Sequence, residues 1–289
     1  MPQTNAPTAP DPSAPELLAV AGPSAFGGDS KRFWELLWII SVADFRKTYA
    51  NTALGFAWTI VKPLVFFGLI FLVLREIFRF GANIPNFGEI LILGLILYTY
   101  FAETTGRAVR SVAAREGMVR KMQFPRIVIP LSVSLAGIFT LILNLAAILP
   151  LFVLFGLAPQ PEWLMLIPIL AVLVIFSTGV GLILSVLYVR FEDVNQVWTL
   201  ITRVLFYATP VLYPIEILDS PLTEIVSLNP LAFLIEEARI FVIDPSLPQP
   251  GDVAGLLCGV IVPVTLIVAA PIVGLYFFNR YAPRMAEAL

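Results

Sequence analysis

Long apolar runs alternate with short polar stretches along the chain, and this pattern predicts membrane-spanning helices. Each run is bounded by charged or turn-forming residues and has about 20 residues, the length a helix needs to cross ~30 Å of hydrocarbon at ~1.5 Å per residue. Prolines within the runs are compatible with helices, because neighbouring helices can satisfy the freed carbonyls. Six spans are predicted, at residues 54–78, 89–105, 127–157, 163–188, 194–215 and 253–278.

The segment before the first span predicts an amphipathic helix lying in the membrane interface. Its apolar core at 36–43 is too short to cross the membrane. Tryptophans beside basic side chains favour the interface, whereas a short soluble helix packed on the protein is the alternative. The residues that carry this prediction are Trp34, Trp38, Arg46 and Lys47.

Composition supports one membrane domain behind a polar tail. The chain has 58% hydrophobic and 13% charged residues and a mean hydropathy of +0.89, far from a soluble globular domain. Residues 1–28 are rich in proline, alanine and glycine and lack the basic region of a signal peptide, which predicts a disordered tail. The expected organisation is this tail, the interface helix at 29–52 and a membrane domain at 53–289, an all-α membrane protein.

Residue usage argues against a metal centre or a nucleic-acid partner. Cys258 is the single cysteine and histidine is absent, so the usual zinc and haem ligand sets are missing. The net charge of −2 says little about partners, since the location of the basic residues is what matters in a membrane protein, and no nucleic-acid partner is expected. We expect membrane lipids to surround the chain, and no metal or cofactor of its own.

The distribution of lysine and arginine predicts that both termini are cytoplasmic. Thirteen of the 18 basic residues fall in the N-terminal segment, the loops after spans 2 and 4, and the C-terminal tail. The positive-inside rule places these segments in the cytoplasm. The loop AREGMVRKMQFPR at 114–126 also mixes apolar residues with its charges, which suggests a docking surface as well as a topology signal.

Four pieces of the chain, in order, carry a family resemblance. They are LGFAWTIVKPL, YFAETTGRAVRSVAAREGMVRKMQFPRIVIPL, LYVRFEDVNQVW, and ATPVLYP followed by NPLAFLIEEAR. With these pieces the chain resembles the permease subunits of ATP-binding-cassette (ABC) exporters in the polysaccharide, O-antigen and teichoic acid export family. The resemblance covers roughly residues 32–284.

The resemblance implies a transport permease and not an enzyme. It implies two copies of this chain and two copies of a cytoplasmic ABC ATPase, which together move a polyprenyl-linked polysaccharide across the bacterial inner membrane. None of the four lysines follows a glycine, so the G-K-[ST] signature of a P-loop is absent. ATP and Mg are therefore expected on the partner subunit.

Two cytoplasmic segments are candidates for docking on that ATPase. Short mixed-charge segments in a cleft of the ATPase would couple nucleotide closure to movement of the spans. A topology signal alone, or acidic residues capping the fifth span, are the alternatives. The first segment contributes Arg115, Glu116, Met118, Arg120, Lys121, Phe124, Pro125 and Arg126, and the second contributes Arg190, Glu192 and Asp193.

Aromatic side chains are the candidate substrate contacts, because sugar rings present apolar faces that stack on them. Packing or interface marking remains an alternative for each. Arg203 lies about eight residues into the fifth span, where either a paired functional role or snorkelling is expected. The candidate path comprises Phe66, Phe67, Tyr98, Tyr100, Phe101, Arg203, Phe206, Tyr207 and Tyr213.

The segment between spans 5 and 6 is too short and too charged to span. The resemblance implies two short re-entrant helices that form an outer gate, and a plain extracellular hairpin is the alternative. The gate candidates are Pro214, Asn229, Pro230, Glu236, Glu237 and Arg239.

Three other functions remain open at the level of sequence. A related permease would carry teichoic-acid-like polymers, lipids or drugs. A membrane enzyme acting on polyprenyl-phosphate lipids would need clustered acids for Mg²⁺, and the only adjacent acids are Glu192-Asp193 and Glu236-Glu237. A gated channel would leave the docking segments unexplained.

Overall fold

The structure, a computed structural model, describes residues 30–49, 55–81, 84–121 and 124–282. All regular secondary structure in these ranges is helical. The predicted tail at 1–28 lies outside the described residues. The α-helices are α1 (Ser30–Tyr49), α2 (Ala57–Leu72), α3 (Phe87–Ser111), α4 (Glu116–Lys121), α5 (Val128–Leu154), α6 (Leu166–Arg190), α7 (Val194–Ala208), α8 (Leu222–Ser227), α9 (Pro230–Val242), α10 (Pro250–Leu256) and α11 (Val262–Tyr281).

Five helical segments in the described ranges are long and apolar enough to cross a membrane. They match predicted spans 1 to 4 and 6. A short π-helical or 3-10 turn continues the α-helix in the first and the fourth of them, whereas the last is broken at Gly255, which has φ +74°. They are Ala57–Ile77, Phe87–Ser111, Val128–Leu154, Pro161–Arg190 and Pro250–Tyr281.

The predicted fifth span is shorter than expected, so the six-span arrangement is not confirmed. Its helix, α7, has 15 residues, or about 22 Å of rise. Thr209 is extended, as a residue before proline prefers to be, and the helix ends there. The apolar residues that continued the predicted span, including Val211 and Ile215, are buried inside the protein.

Helix α3 forms the centre of the bundle. It packs against α2, α5, α6, α7 and α9, and 72% of its most apolar window is buried. Its mean hydropathy of 1.3 is nevertheless the lowest of the five candidate spans. The most hydrophobic candidate span, Pro250–Tyr281, is by contrast only 17% buried over its most apolar window, as expected where the solvent is lipid.

Close contact between α6 and α11 depends on two glycines. A Cβ atom at Gly179 would lie 2.4 Å from the Pro271 nitrogen, and one at Gly274 would lie 2.5 Å from the Gly179 carbonyl oxygen. Small residues allow backbones to approach in this way within membranes.

Helix α1 is present as predicted and packs along α5. Leu37 and Ser41 are buried on the packed face, and Trp38 meets Phe139 edge to face at 5.6 Å. Trp34 points outward and is 66% exposed. The location of this helix in the membrane interface stays a prediction.

Helices α8 and α9 occupy the segment between α7 and α10. Helix α9 packs against α3 and α6, so it lies on the bundle instead of projecting from it as a plain hairpin. Its entry into the membrane stays a prediction.

Candidate functional site

The two candidate docking segments lie at the same end of the helix bundle. The Arg110 guanidinium, near the end of α3, lies 6.0 Å from the centre of the Tyr188 ring, near the end of α6. Phe124 is buried in a cluster with Phe278, at the end of α11. The ends of α3, α6 and α11 and the start of α5 therefore meet at one surface.

Residues of the first docking segment divide into buried and outward-facing groups. Phe124 and Arg126 are buried, and the Arg126 guanidinium donates to the Ala282 carbonyl oxygen, which fixes the loop to the end of α11. Pro125 and Met118 are half-buried, whereas Glu116 is exposed. The side chains of Arg120 and Lys121 lie outside the described residues.

Arg115 joins this segment to the interface helix. Its guanidinium forms an ion pair with Asp44 on α1 and donates to the Ser111 carbonyl oxygen at 3.4 Å. The sequence prediction did not include Asp44. Its position in an otherwise apolar stretch of α1 was the available signal, because an acidic residue there needs a partner.

The second docking segment is exposed along its whole length. Arg190, Glu192 and Asp193 all face solvent, and the Arg190 guanidinium lies 5.7 Å from the Phe191 ring centre. Within the described residues, the Asp193 side chain makes no capping hydrogen bond to the first turn of α7. Asp193 nevertheless occupies the N-cap position of α7, where its charge interacts favourably with the helix dipole, so the capping alternative stays open beside docking.

Four of the candidate path aromatics form one cluster. The Phe206 ring lies 5.3 Å from Tyr98, 6.3 Å from Phe66 and 5.2 Å from Tyr207. Tyr98 also donates its hydroxyl to the Thr202 carbonyl oxygen, which ties α7 to α3. The cluster joins α2, α3 and α7.

The remaining path candidates lie elsewhere. Phe101 is stacked on Phe176 in the core at 5.6 Å, Phe67 packs on Phe71, and Tyr100 faces a cavity between α2, α3 and α5. Tyr213 donates its hydroxyl to the Tyr207 carbonyl oxygen at 3.1 Å and so adjoins the cluster.

Helix α7 is exposed on both a polar stripe and an adjacent apolar one. The polar residues Gln196, Thr199, Arg203 and Tyr207 follow one another at helical spacing, and beside them lie the exposed apolar residues Val197, Leu200 and Val204. Amphipathic helices arrange side chains in this way when one face meets water or a polar surface. Hydrocarbon would not solvate an arginine in the middle of such a stripe.

Arg239 lies at the centre of a buried polar network near the opposite end of the bundle. One terminal nitrogen is 2.7 Å from a Glu236 carboxylate oxygen and 3.3 Å from the Tyr213 carbonyl oxygen. The other donates to the carbonyl oxygens of Ile90 and Val211 at 3.1 and 3.2 Å. The network joins α9 to α3 and to the turn after α7.

Gly94 adjoins this network, and Asn229 caps the start of α9. A Cβ atom at Gly94 would lie 2.9 Å from the Arg239 guanidinium, so glycine leaves room for that side chain. Asn229 accepts from the Leu231 amide and donates to the Thr209 hydroxyl at 2.7 Å, while Pro230 starts α9. Of the other gate candidates, Pro214 is buried and Glu237 is half-buried.

Sequence reasoning also missed a group of polar residues on spanning helices. Thr59, Thr140 and Asn144 line one cavity with Tyr100. Polar residues within apolar spans were the signal, but their convergence depends on the packing of three helices.

Comparisons with known proteins agree with the resemblance in the sequence. A family model described as ABC-2 type transporter matches residues 35–242. An O-antigen export system permease protein RfbA of Klebsiella pneumoniae is 31% identical over 258 residues, which are 89% of this chain and 95% of the relative. The protein of the same name from Myxococcus xanthus is 28% identical over 235 residues, 78% of this chain and 86% of the relative.

A more distant relative extends the comparison. The polysialic acid transport protein KpsM of Escherichia coli is 21% identical over 201 residues, which are 68% of this chain and 76% of the relative. The family match spans both docking segments, the aromatic cluster and the Arg239 network. This chain is therefore a multi-pass membrane protein that belongs to the ABC-2 type transporter membrane family.

Proposed function

We propose that this chain is the permease subunit of an ABC exporter that moves a lipid-linked polysaccharide from the cytoplasmic side across the inner membrane. The observation that carries the proposal is the 31% identity to an O-antigen export permease over 89% of the chain. In this arrangement both termini are cytoplasmic, and the surface that contains Arg190 faces the cytoplasm. Arg239 then lies toward the outer side.

ATP is hydrolysed by a separate subunit in this proposal. The sequence lacks the lysine-containing P-loop signature, so nucleotide and Mg bind elsewhere. The exposed charges of Arg190, Glu192 and Asp193, together with α4, offer the docking surface. Because Arg115 is paired with Asp44, movement of the first docking segment would also displace α1.

The translocation path lies between two copies of the chain. The polar stripe of α7 supports this arrangement, since Arg203 and Tyr207 are exposed within a membrane domain and need water or a polar cargo. Only 6% of the most apolar window of α2 is buried, so its exposed side also has room for a second copy or for lipid. Phe66 and Phe206 would border the path and stack on sugar rings.

The test is co-purification of the ATPase, combined with measurement of surface polysaccharide. Charge reversal by Arg190→Glu should abolish both, because it inverts an exposed charge on the docking surface. Arg79→Glu is the matched control, since Arg79 is an exposed arginine in the connection between α2 and α3 on the opposite side. We expect that control to retain both readouts.

Two outcomes would contradict the proposed exporter function or its orientation in the membrane. If the wild-type protein brings down no ATPase in gentle detergent or in nanodiscs, the proposed function is wrong. If Arg190→Glu retains the ATPase but Arg79→Glu loses it, the assignment of sides is inverted.

A further inference from the structure

An apolar groove lies between α6 and α11, and α9 forms its third wall. Its volume is about 620 Å³, within the range of roughly 300–1,000 Å³ that small-molecule sites have. Pro168 and Ile175 border it on α6, and Val264 and Ile272 border it on α11. Ile175 and Ile272 are exposed, so the groove opens sideways, toward the surface that lipid covers in a membrane protein.

The groove lies in the half of the bundle where α6 begins. Pro168 and Ile175 are the third and tenth residues of α6, so the groove follows about 10 Å of its rise. Its first residue on α11, Val264, is the third residue of that helix. Helix α9 also packs against the short 3-10 helix Pro161–Met165 that precedes α6. In the orientation of the proposed function, this half of the bundle faces the outer leaflet.

One carboxyl group faces the groove, and the other described lining residues are all apolar. This group belongs to Glu237 on α9, which is half-buried. Glu237 makes no hydrogen bond or ion pair with the residues that the structure describes. Its neighbour Glu236, by contrast, is buried and paired with Arg239 at 2.7 Å. A carboxyl group in apolar surroundings needs a cation or a proton, so Glu237 offers a place for a cation that reaches the groove.

The charges of the surrounding connections disfavour an anionic ligand at this position. The connections at this end of the bundle, residues 75–89, 158–165 and 213–252, contain ten acidic residues and three arginines. One of these arginines, Arg239, is already paired with Glu236. A ligand with a net negative charge would therefore be repelled here, whereas an amine would be attracted.

We infer that the groove binds a phospholipid with a primary amine head group. The amine donates charge-assisted hydrogen bonds to the Glu237 carboxylate, and an acyl chain lies between α6 and α11. The lipid thereby links α9 to these two helices. A quaternary ammonium has no N–H group to donate, so the site distinguishes head groups that carry the same acyl chains. The outer leaflet as the source of the lipid rests on the proposed function, whereas the pairing with Glu237 does not.

The test is photolabelling of the full-length protein, with any ATPase that co-purifies, in nanodiscs of phosphatidylglycerol, a lipid without an amine. The probes are trace phosphatidylethanolamine and phosphatidylcholine with the same photoactivatable acyl chain, and mass spectrometry locates the labelled peptides. Phosphatidylethanolamine should label the groove residues of α6 and α11 more strongly, because only its amine donates to Glu237. Glu237→Gln should lower this labelling about threefold to tenfold, the range for one weakened hydrogen bond, and leave phosphatidylcholine unchanged.

Matched variants separate the carboxyl group from the groove. Glu162→Gln should label as wild type does, because Glu162 is exposed at the same end of the bundle but does not line the groove. Ile175→Trp should reduce labelling by both lipids, since the larger ring fills the groove, whereas Ile167→Trp, on an exposed part of α6 outside the groove, should not. In detergent, phosphatidylethanolamine should raise the Tm of the wild type more than phosphatidylcholine does, and Glu237→Gln should remove this difference.

Three results would overturn the inference. Equal labelling of the wild-type groove by the two lipids would mean that bulk lipid merely coats an apolar surface. An unchanged preference in Glu237→Gln would mean that this carboxyl group does not bind the amine. Labelling by neither lipid would mean that protein, such as a second copy of the chain, covers the groove. ATPase co-purification is scored on the same samples, so an exporter without this lipid site is distinguished from a lipid site without an exporter.

Discussion

Replacing Arg239 by methionine should destabilise the protein more than any other single charge removal described here. The guanidinium is fully buried and makes an ion pair and three hydrogen bonds to backbone carbonyls. Methionine fills a similar space but leaves the Glu236 carboxylate buried without its partner. Removal of one partner from a buried pair costs about 3–5 kcal/mol.

A double replacement separates the ion pair from the backbone contacts. In Arg239→Met/Glu236→Leu no buried charge remains, but the carbonyl oxygens of Ile90, Val211 and Tyr213 lose a donor and the Ile215 amide loses an acceptor. Each such hydrogen bond contributes about 1 kcal/mol net. The double variant should therefore stay about 4 kcal/mol less stable than wild type and recover up to ~1 kcal/mol of a ~5 kcal/mol loss in Arg239→Met.

Thermal unfolding of the detergent-solubilised protein, followed by tryptophan fluorescence, measures the effect. A loss of 3–5 kcal/mol corresponds to a fall of roughly 6–20 °C in Tm. Arg203→Met is the control, since Arg203 is an exposed arginine in the same membrane domain and should change Tm little. If the double variant is as unstable as Arg239→Met, an unpaired Glu236 is not the cause. A normal Tm for Arg239→Met would refute the structural role altogether.

Two further predictions concern packing and acid sensitivity. Gly179→Ala should destabilise the folded protein by about 1–3 kcal/mol, because the added Cβ atom overpacks against Pro271. At Gly106 an added Cβ atom meets nothing within 4 Å, so Gly106→Ala should stabilise α3 by up to ~1 kcal/mol in the same unfolding assay. In the loop after α9, the Ser246 hydroxyl and amide lie 2.7 and 2.8 Å from an Asp244 carboxylate oxygen and hold the pKa of that carboxyl below its usual value. A carboxyl with a lowered folded pKa stabilises above its unfolded pKa and loses this contribution as pH falls through the folded pKa. Ser246→Ala should therefore unfold at a lower temperature than wild type at pH 7, and the difference should begin to shrink near the unfolded pKa of about 4 and vanish only below the lower folded pKa; a difference that persists at still lower pH would contradict the assignment.

The fifth predicted span illustrates where apolar length misleads. Residues 194–215 are apolar enough to suggest a spanning helix, but α7 stops before Pro210. Val211 and Ile215 are buried by protein and not surrounded by lipid, and Val211 packs in the core cluster that α3 and α9 help to form. Length and hydropathy do not distinguish these two environments, because both remove apolar surface from water.

The candidate site was predictable in part. The charged loop residues Arg190 and Asp193 were correctly expected on a surface, since charges at the end of an apolar run have no other favourable place. Phe124 and Arg126 were grouped with them, yet the fold turns both inward against the end of α11. Loop composition alone does not determine which side chains of a turn face the core.

The sequence by itself determined the membrane class, the positions of five apolar helices, the presence of helix α1 and the lack of a P-loop signature. These depend on local length, periodicity and residue type, which need no partner. Only the tertiary structure decided that the least hydrophobic span, α3, lies at the centre, and that Arg239 pairs with Glu236 beneath Gly94. The same holds for the meeting of Thr59 with Asn144 in one cavity. The physical reason is that a face exposed to lipid and a face packed against protein carry similar apolar residues, so the sequence does not show which helices are neighbours. The partner of each polar side chain depends on those neighbours, and helix packing decides it.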